Sequence, residues 1–215
     1  MKCNRVRRVD VPEDIVIPKT ILQRINSNLP IIYPTSTLPA LGCLPNTDAL
    51  DRLFKTKRRD ELKVVSLGVA NLLQASEIVD VPDVAEQILR DFEPGSLTLI
   101  LPAKQTLDVR LGGNSVAVRV LCNPYARALV EKTGPLTATS ANLSGADVLK
   151  DCVEAARALN LPDDAALGAK CVGGAPSTLI AWNVSGHALN VPNWTVVREG
   201  KVSEEDIQTW SAKKT

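Results

Sequence analysis

Histidine is almost absent from this 215-residue chain, where His187 is the only one. Catalysis by a Ser-His-Asp triad or a histidine-rich metal site is therefore nearly excluded, and any chemistry falls to Lys, Arg, Ser, Thr and Asn. An excess of charge is lacking too. Lys and Arg total 25 against 24 Asp and Glu, so no global field draws the chain to nucleic acid or membrane, and any anion site must be local. No apolar run approaches the roughly 18 residues of a membrane span, and the N-terminus has no signal-peptide core, which points to a cytoplasmic protein. The five cysteines, Cys3, Cys43, Cys122, Cys152 and Cys171, are odd in number, widely spaced and without a C-x-x-C pair. That pattern suits buried reduced thiols rather than a disulfide framework or a zinc site. The Gly173-Gly174 turn is no phosphate loop, because no Gly-Lys-Ser/Thr follows it.

What is present fits one sizeable domain, 45% hydrophobic and free of repeats or long linkers. The octapeptide Ala138-Thr139-Ser140-Ala141-Asn142-Leu143-Ser144-Gly145 concentrates hydroxyls and a carboxamide between an apolar run and a helix-like pattern over 148–159. It reads as a strand running into a polar turn at a helix entrance, where α/β sheets bind ligands; a capped loop satisfying only its own backbone is the alternative. Upstream, Pro18 opens an amphipathic helix with Ile21, Leu22 and Ile25 on one face, and an apolar strand over 29–33 follows. The strand runs into Pro34-Thr35-Ser36-Thr37-Leu38-Pro39, three hydroxyls stiffened by prolines, which can serve either as a turn or to orient a small polar substrate.

A helix capped by Asn46 or Thr47 leads into Lys55-Thr56-Lys57-Arg58-Arg59, the densest positive cluster, just before a strand over 64–69. These cations either complement the helix dipole or let Lys57 and Arg59 reach one phosphate chain together. Arg119 is the lone charge in the apolar strand Ser115-Val116-Ala117-Val118-Arg119-Val120. Burying it unpaired would cost several kcal/mol, so it must reach solvent, an acidic side chain or a substrate carboxylate. Later segments alternate again. Pro124 opens a helix, 177–182 and 195–200 read as strands, and Ser203 with Asp206 forms a capping box for a last helix through Trp210. The basic residues of the N-terminus, Lys2, Arg5, Arg7 and Arg8, read as a solvated end or a weak RNA contact. The alternation predicts an α/β or α+β sheet protein, divided as an extension (1–17), a main domain (18–202) and a C-terminal helix and tail (203–215).

In order and spacing, Pro34-Thr35-Ser36-Thr37 with Leu41-Gly42, Lys57-x-Arg59, Pro94-Gly95-Ser96-Leu97-Thr98-Leu99-Ile100-Leu101, the Arg119 strand, Ala138 to Gly145, Pro176-Ser177-Thr178-Leu179 and Val197-Arg198-x-Gly200 resemble the YrdC-like family of threonylcarbamoyl-adenylate synthases. The resemblance implies a twisted mixed sheet with flanking helices around a basic concave cavity, in the short form without a further C-terminal domain. It implies a nucleotidyltransferase that joins L-threonine, bicarbonate and ATP into threonylcarbamoyl-AMP and pyrophosphate, the first step towards N6-threonylcarbamoyladenosine at position 37 of tRNA. ATP enters as substrate with its Mg²⁺, no metal is bound by the protein itself, and tRNA and a downstream transferase are the implied partners. Carried onto this sequence, Lys57 and Arg59 are the catalytic pair and bind ATP with Lys63, Ser140, Asn142 and Arg198. Thr35, Thr37, Arg119, Ala138 and Ser177 surround the threonine. The chain departs from the family at Pro39 and Ala40, where Tyr-Gly is common, and at Asp60, Val64 and Gly68. A noncatalytic RNA-binding module and a family member with an altered substrate are the alternatives.

Overall fold

The computed structural model describes residues 15–182 and 194–213. His187, Cys3 and the basic N-terminal residues lie outside them. Helix α1 (Lys19–Asn26) starts behind Pro18 and buries Ile21 and Ile25. Strands β1 (Ile31–Tyr33) and β2 (Ala40–Gly42) pair antiparallel, and all six of their residues are buried. Asn46 caps helix α2 (Thr47–Lys57) by accepting the Ala49 N–H, and Leu50, Leu53 and Phe54 form its inner face. Then come β3 (Leu67–Val69), α3 (Leu72–Ala75), α4 (Val84–Asp91), β4 (Leu97–Pro102), β5 (Ser115–Val120) and α5 (Pro124–Thr133), the last capped by Asn123. Strands β6 (Leu136–Thr137) and β7 (Thr139–Ser140), helix α6 (Cys152–Ala158), strands β8 (Thr178–Trp182) and β9 (Trp194–Arg198) and helix α7 (Glu204–Ala212) complete the described elements. Ser203 caps α7 through the Asp206 N–H, as its spacing predicts.

Two sheets result. The larger is a mixed six-stranded sheet in the order β6-β3-β5-β4-β8-β9, and the smaller is antiparallel, β1-β2-β7. Period-two alternation decides which face of the larger sheet becomes core. Leu97, Leu99 and Leu101 of β4, Val116 and Val118 of β5 and Ile180 of β8 point one way and pack in the core with Ile88, Ile207 and Trp210 from α4 and α7. The opposite face carries Thr98 and Ile100, Ser115, Ala117 and Arg119, and Leu179, a mixture of polar and apolar side chains that stays outside the core cluster. That face is left as the floor of a cavity.

Two expectations shift. The octapeptide is not a helix entrance. The chain passes at Ala138 from β6 in one sheet to β7 in the other, and α6 begins only at Cys152, where the Asp151 carboxylate accepts the Val153 and Glu154 N–H groups and so captures the cap. Val148 faces the cavity instead of starting a helix. The strand read over 64–69 is likewise shorter. Residues 64–66 run along the cavity, held by the Val65 N–H donating to the Arg110 carbonyl at 2.8 Å, and pairing in the larger sheet starts at Leu67. Among the described residues, no helix is long and apolar enough to cross a membrane.

Candidate functional site

Between the floor of the large sheet and the edge of the small one lies a cavity of about 390 Å³. Among the described residues, its wall contains three arginines, Arg59, Arg119 and Arg198, and no acidic residue. Register explains the convergence. Ala117 of β5 lies opposite Ile100 of β4, and in the neighbouring row Thr98 of β4 lies beside Leu179 of β8, which pairs with Arg198 of β9, so two adjacent rows of side chains share one face of the sheet. Across the cavity, Ala40 of β2 pairs with Ser140 of β7.

Arg119 is the most constrained member. It is only 7% exposed, yet no carboxylate among the described residues pairs with it. Its Nε and Nη2 donate to the Gly95 carbonyl at 3.1 and 2.8 Å, and Nη2 also reaches Ser36 Oγ at 3.0 Å and Thr37 Oγ1 at 3.1 Å. Burial pulls its pKa below the ordinary guanidinium value, partly offset by Tyr33, while nearby Arg198 adds a like charge. A guanidinium stays protonated regardless, so the shift measures charge that an anion in the cavity would stabilise. The acceptors are themselves fixed. Thr35 Oγ1 donates to the Leu38 carbonyl at 2.7 Å and accepts the Thr37 N–H at 3.2 Å, which folds the 35–37 hydroxyls into a tight turn. Gly95 takes φ +75°, and a Cβ there would lie 2.6 Å from Ser36 Oγ.

Lys57 and Arg59 part company. Arg58 between them adopts a left-handed conformation, φ 48°, as the C-cap of α2. Lys57 is 2% exposed and turns inward beneath the 140–142 turn. Its ammonium donates to the carbonyls of Ser140 and Asn142, to Asn142 Oδ1 at 2.9 Å and to Ser140 Oγ at 3.3 Å. Burial, with Arg59 adding a like charge, lowers its pKa to about 8. Arg59 is on the cavity wall, tied by Nε to the Lys63 carbonyl at 2.7 Å and by Nη2 to the Val64 carbonyl at 2.9 Å. Burial lowers its pKa as well.

Of the residues singled out from sequence, Thr35, Thr37, Arg59, Arg119, Ala138, Ser140, Ser177 and Arg198 line the cavity, and Lys57, Lys63 and Asn142 do not. Lys63 is exposed and contributes its carbonyl to Arg59. Asn142 braces Ser140, accepting its hydroxyl at 2.7 Å, and donates to the Ala146 carbonyl. Pro39, Ala40 and Val64 form part of the wall, whereas Asp60 caps its own loop through the Leu62 N–H. Gly68 is packed shut, since a Cβ there would lie 2.9 Å from Leu121 and 3.0 Å from the Tyr33 hydroxyl.

The sequence shows Ser36 only as one of three turn hydroxyls, and two further polar groups, the Gly95 carbonyl and Thr98, escape a sequence reading. Ser36 and the Gly95 carbonyl hold Arg119, and Thr98 shares a 2.7 Å hydrogen bond with Ser177 on the floor. Alternation along β4 would have flagged Thr98, but a backbone carbonyl leaves no trace in a sequence. Arg198 donates to the Ser177 carbonyl at 2.9 Å, joining the last strand to the same corner. Among the described residues no group of three or more His, Cys, Asp or Glu converges to hold a metal ion.

Comparison with known proteins agrees with this geometry. The family model Sua5_yciO_yrdC, described as Telomere recombination, matches residues 23–200. The threonylcarbamoyl-AMP synthase of Pseudomonas aeruginosa (strain UCBPP-PA14) is 34% identical over 163 residues, covering 74% of this chain and 88% of the relative. That of Bacillus subtilis (strain 168) is 35% identical over 127 residues, and the match takes in 56% of this chain but only 37% of that longer protein. In three dimensions, P. abyssi Sua5 complexed with L-threonine superposes with a TM-score of 0.73 at 25% identity, over 89% of this chain and 56% of that one. A family match through both sheets and the whole cavity, with a relative above 30% identity matched along most of its length, places the chain in the Sua5/YciO/YrdC family.

Proposed function

We propose that the chain is a nucleotidyltransferase that forms L-threonylcarbamoyl-AMP and pyrophosphate from L-threonine, bicarbonate and ATP. The observation that carries this reading is Arg119, a buried guanidinium on a cavity wall without acidic residues, held by hydroxyls and one carbonyl and with no carboxylate partner among the described residues. A threonine carboxylate would complete it, with Thr35, Thr37, Ala138 and Ser177 around the amino acid. The relatives' name and the P. abyssi complex with L-threonine support that assignment. Arg59, Arg198 and Ser140 would meet the nucleotide phosphates. Lys57 and Asn142 would act from behind, fixing the 140–142 turn and adding positive charge beneath it.

Chemically, the threonine amine condenses with bicarbonate, forming the N–C bond as one bicarbonate C–O bond breaks and that oxygen leaves as water, and the resulting carbamate oxygen attacks the α-phosphorus of ATP while pyrophosphate leaves. In-line phosphoryl transfer depends on positioning and charge neutralisation more than on a protein base, which suits a cavity wall carrying three arginines. Magnesium would arrive on the phosphates as part of the substrate, since the wall offers it no carboxylate. A noncatalytic RNA surface has no use for an inward arginine. The test is mass-spectrometric detection of threonylcarbamoyl-AMP with ATP, Mg²⁺, bicarbonate and L-threonine, each omitted in turn. Product that requires all three substrates is expected. A folded protein that binds ATP without making product would move the reading to another amino-acid or acyl substrate; salt-sensitive tRNA binding with no ATP affinity would move it to the RNA-binding module. Transfer to tRNA and residence in the cytoplasm belong to the same proposal.

A further inference from the structure

Two of the thiols are not isolated. Asp151 and Lys170 form an antiparallel bridge, flanked by the Cys171 N–H donating to the Lys150 carbonyl at 2.8 Å and the Cys152 N–H donating to the Ala169 carbonyl at 3.0 Å. This places Cys152 and Cys171 diagonally across the bridge, both buried and both reduced, and near enough for each thiol to influence the other's titration. Two residues on from Cys171, the Gly173 N–H donates to the Thr37 carbonyl at 2.8 Å. The pair therefore rests directly against the turn that supplies hydroxyls to Arg119.

We propose that Cys152 and Cys171 form a reversible disulfide, a redox-modification site whose closure loosens the 35–37 turn and weakens ligand binding in the cavity. Two unbonded sulfurs lie farther apart than the S–S bond of about 2.05 Å, so closure draws Cys171 towards α6 and pulls on the Gly173–Thr37 backbone hydrogen bond that ties its segment to the turn. The groups facing Cys171 favour it as the attacking sulfur. It is the less buried of the two, 7% exposed against 0% for Cys152, and the neighbouring thiol and the Arg119 guanidinium favour its thiolate against burial and Asp151. With a hydroperoxide as oxidant, the Cys171 thiolate attacks one peroxide oxygen, the O–O bond breaks, and water and a sulfenic acid result. Cys152 sulfur then attacks Cys171, the S–O bond breaks, and the hydroxyl leaves as water with the Cys152 proton. Two thiols and one hydrogen peroxide thus become one disulfide and two waters.

Treating the full chain with hydrogen peroxide and mapping its peptides tests this. The expected result is loss of two hydrogen atoms, a Cys152–Cys171 linkage that dithiothreitol reverses, and faster amide exchange at residues 35–37 in the oxidised form. Threonine affinity should fall about tenfold on oxidation, within the usual range of coupling between linked sites. Cys152→Ser and Cys171→Ser, or Cys171→Ala where the serine variant does not fold, should each prevent the linkage. The affinity readout rests on the function proposed above, but the linkage and exchange readouts do not, so a cross-linked protein with a loosened turn and no threonine binding in either form would sink that function and leave the disulfide standing. No linkage, a linkage to Cys122 or Cys43, or a linkage with unchanged exchange at 35–37 would overturn the inference.

Discussion

Arg119 illustrates how one residue can be conspicuous in a sequence and still ambiguous. A charge in an apolar strand must be accounted for, but solvent, an internal acid and a ligand are equal answers until the fold is known. The structure buries the guanidinium among hydroxyls and a carbonyl, away from solvent and, among the described residues, without an acid. Losing one charge-assisted bond of about 1.5–3 kcal/mol should make Arg119→Ala require roughly tenfold to a hundredfold more threonine, in an assay that varies threonine at saturating ATP. Arg119→Lys should rescue little, because an ammonium does not reproduce the planar fork. Unchanged threonine dependence in folded Arg119→Ala would exclude the assignment. Lys57 makes a different prediction. Its pKa near 8 lies below the unfolded value of 10.5, so between those pH values the unfolded chain holds more protons. This residue alone therefore makes the fold more stable as pH rises through that window. A phosphate-bearing ligand favours the ammonium. ATP binding at pH 8.5 should consequently take up part of a proton, read from calorimetry in buffers of different ionisation heat, and Lys57→Met should abolish the uptake. The pairing of Lys57 with Arg59 was legible as a motif; their divergence was not, because it depends on the left-handed turn at Arg58.

Elements whose signals are local came through the sequence intact. Helices α1, α2, α5 and α7 begin at the residues their proline and side-chain caps indicate, because a cap needs only neighbours two or three positions away. Asn46→Ala should cost α2 about 1 kcal/mol and lower the melting temperature, while substrate affinities stay near those of the parent. Helix α6 was misplaced by four residues because Asp151 and the bridge to Lys170 outcompete the apolar spacing that begins at Val148. Gly95 belongs at this scale too. An alanine there must hold a positive φ and press on Ser36, so Gly95→Ala should cost about 1–2 kcal/mol from the backbone alone. It should also weaken threonine binding by displacing the Arg119 support. A variant with parental stability and affinity would show that the 94–96 turn plays no part in the site.

At the scale of the molecule, near-neutral charge and a cavity walled by three arginines describe a local anion site rather than a polyanion-binding surface. Raising salt from 50 to 200 mM should therefore weaken ATP binding by less than about tenfold, against the 10³–10⁵ expected of a protein contacting six to ten nucleic-acid phosphates. A loss on the latter scale would favour an RNA surface. The sequence by itself determined the α/β alternation, the apolar strands that became β4 and β5, the capped helix starts and the family resemblance, all of which rest on residues close along the chain or on ordered motifs. Only the tertiary structure decided that β6 and β7 part into two sheets at Ala138, that Arg119 meets Gly95 and Ser36, and that Lys57 lies under a turn more than eighty residues away. Those outcomes depend on sheet order and on backbone carbonyls as acceptors, and every residue has the same carbonyl.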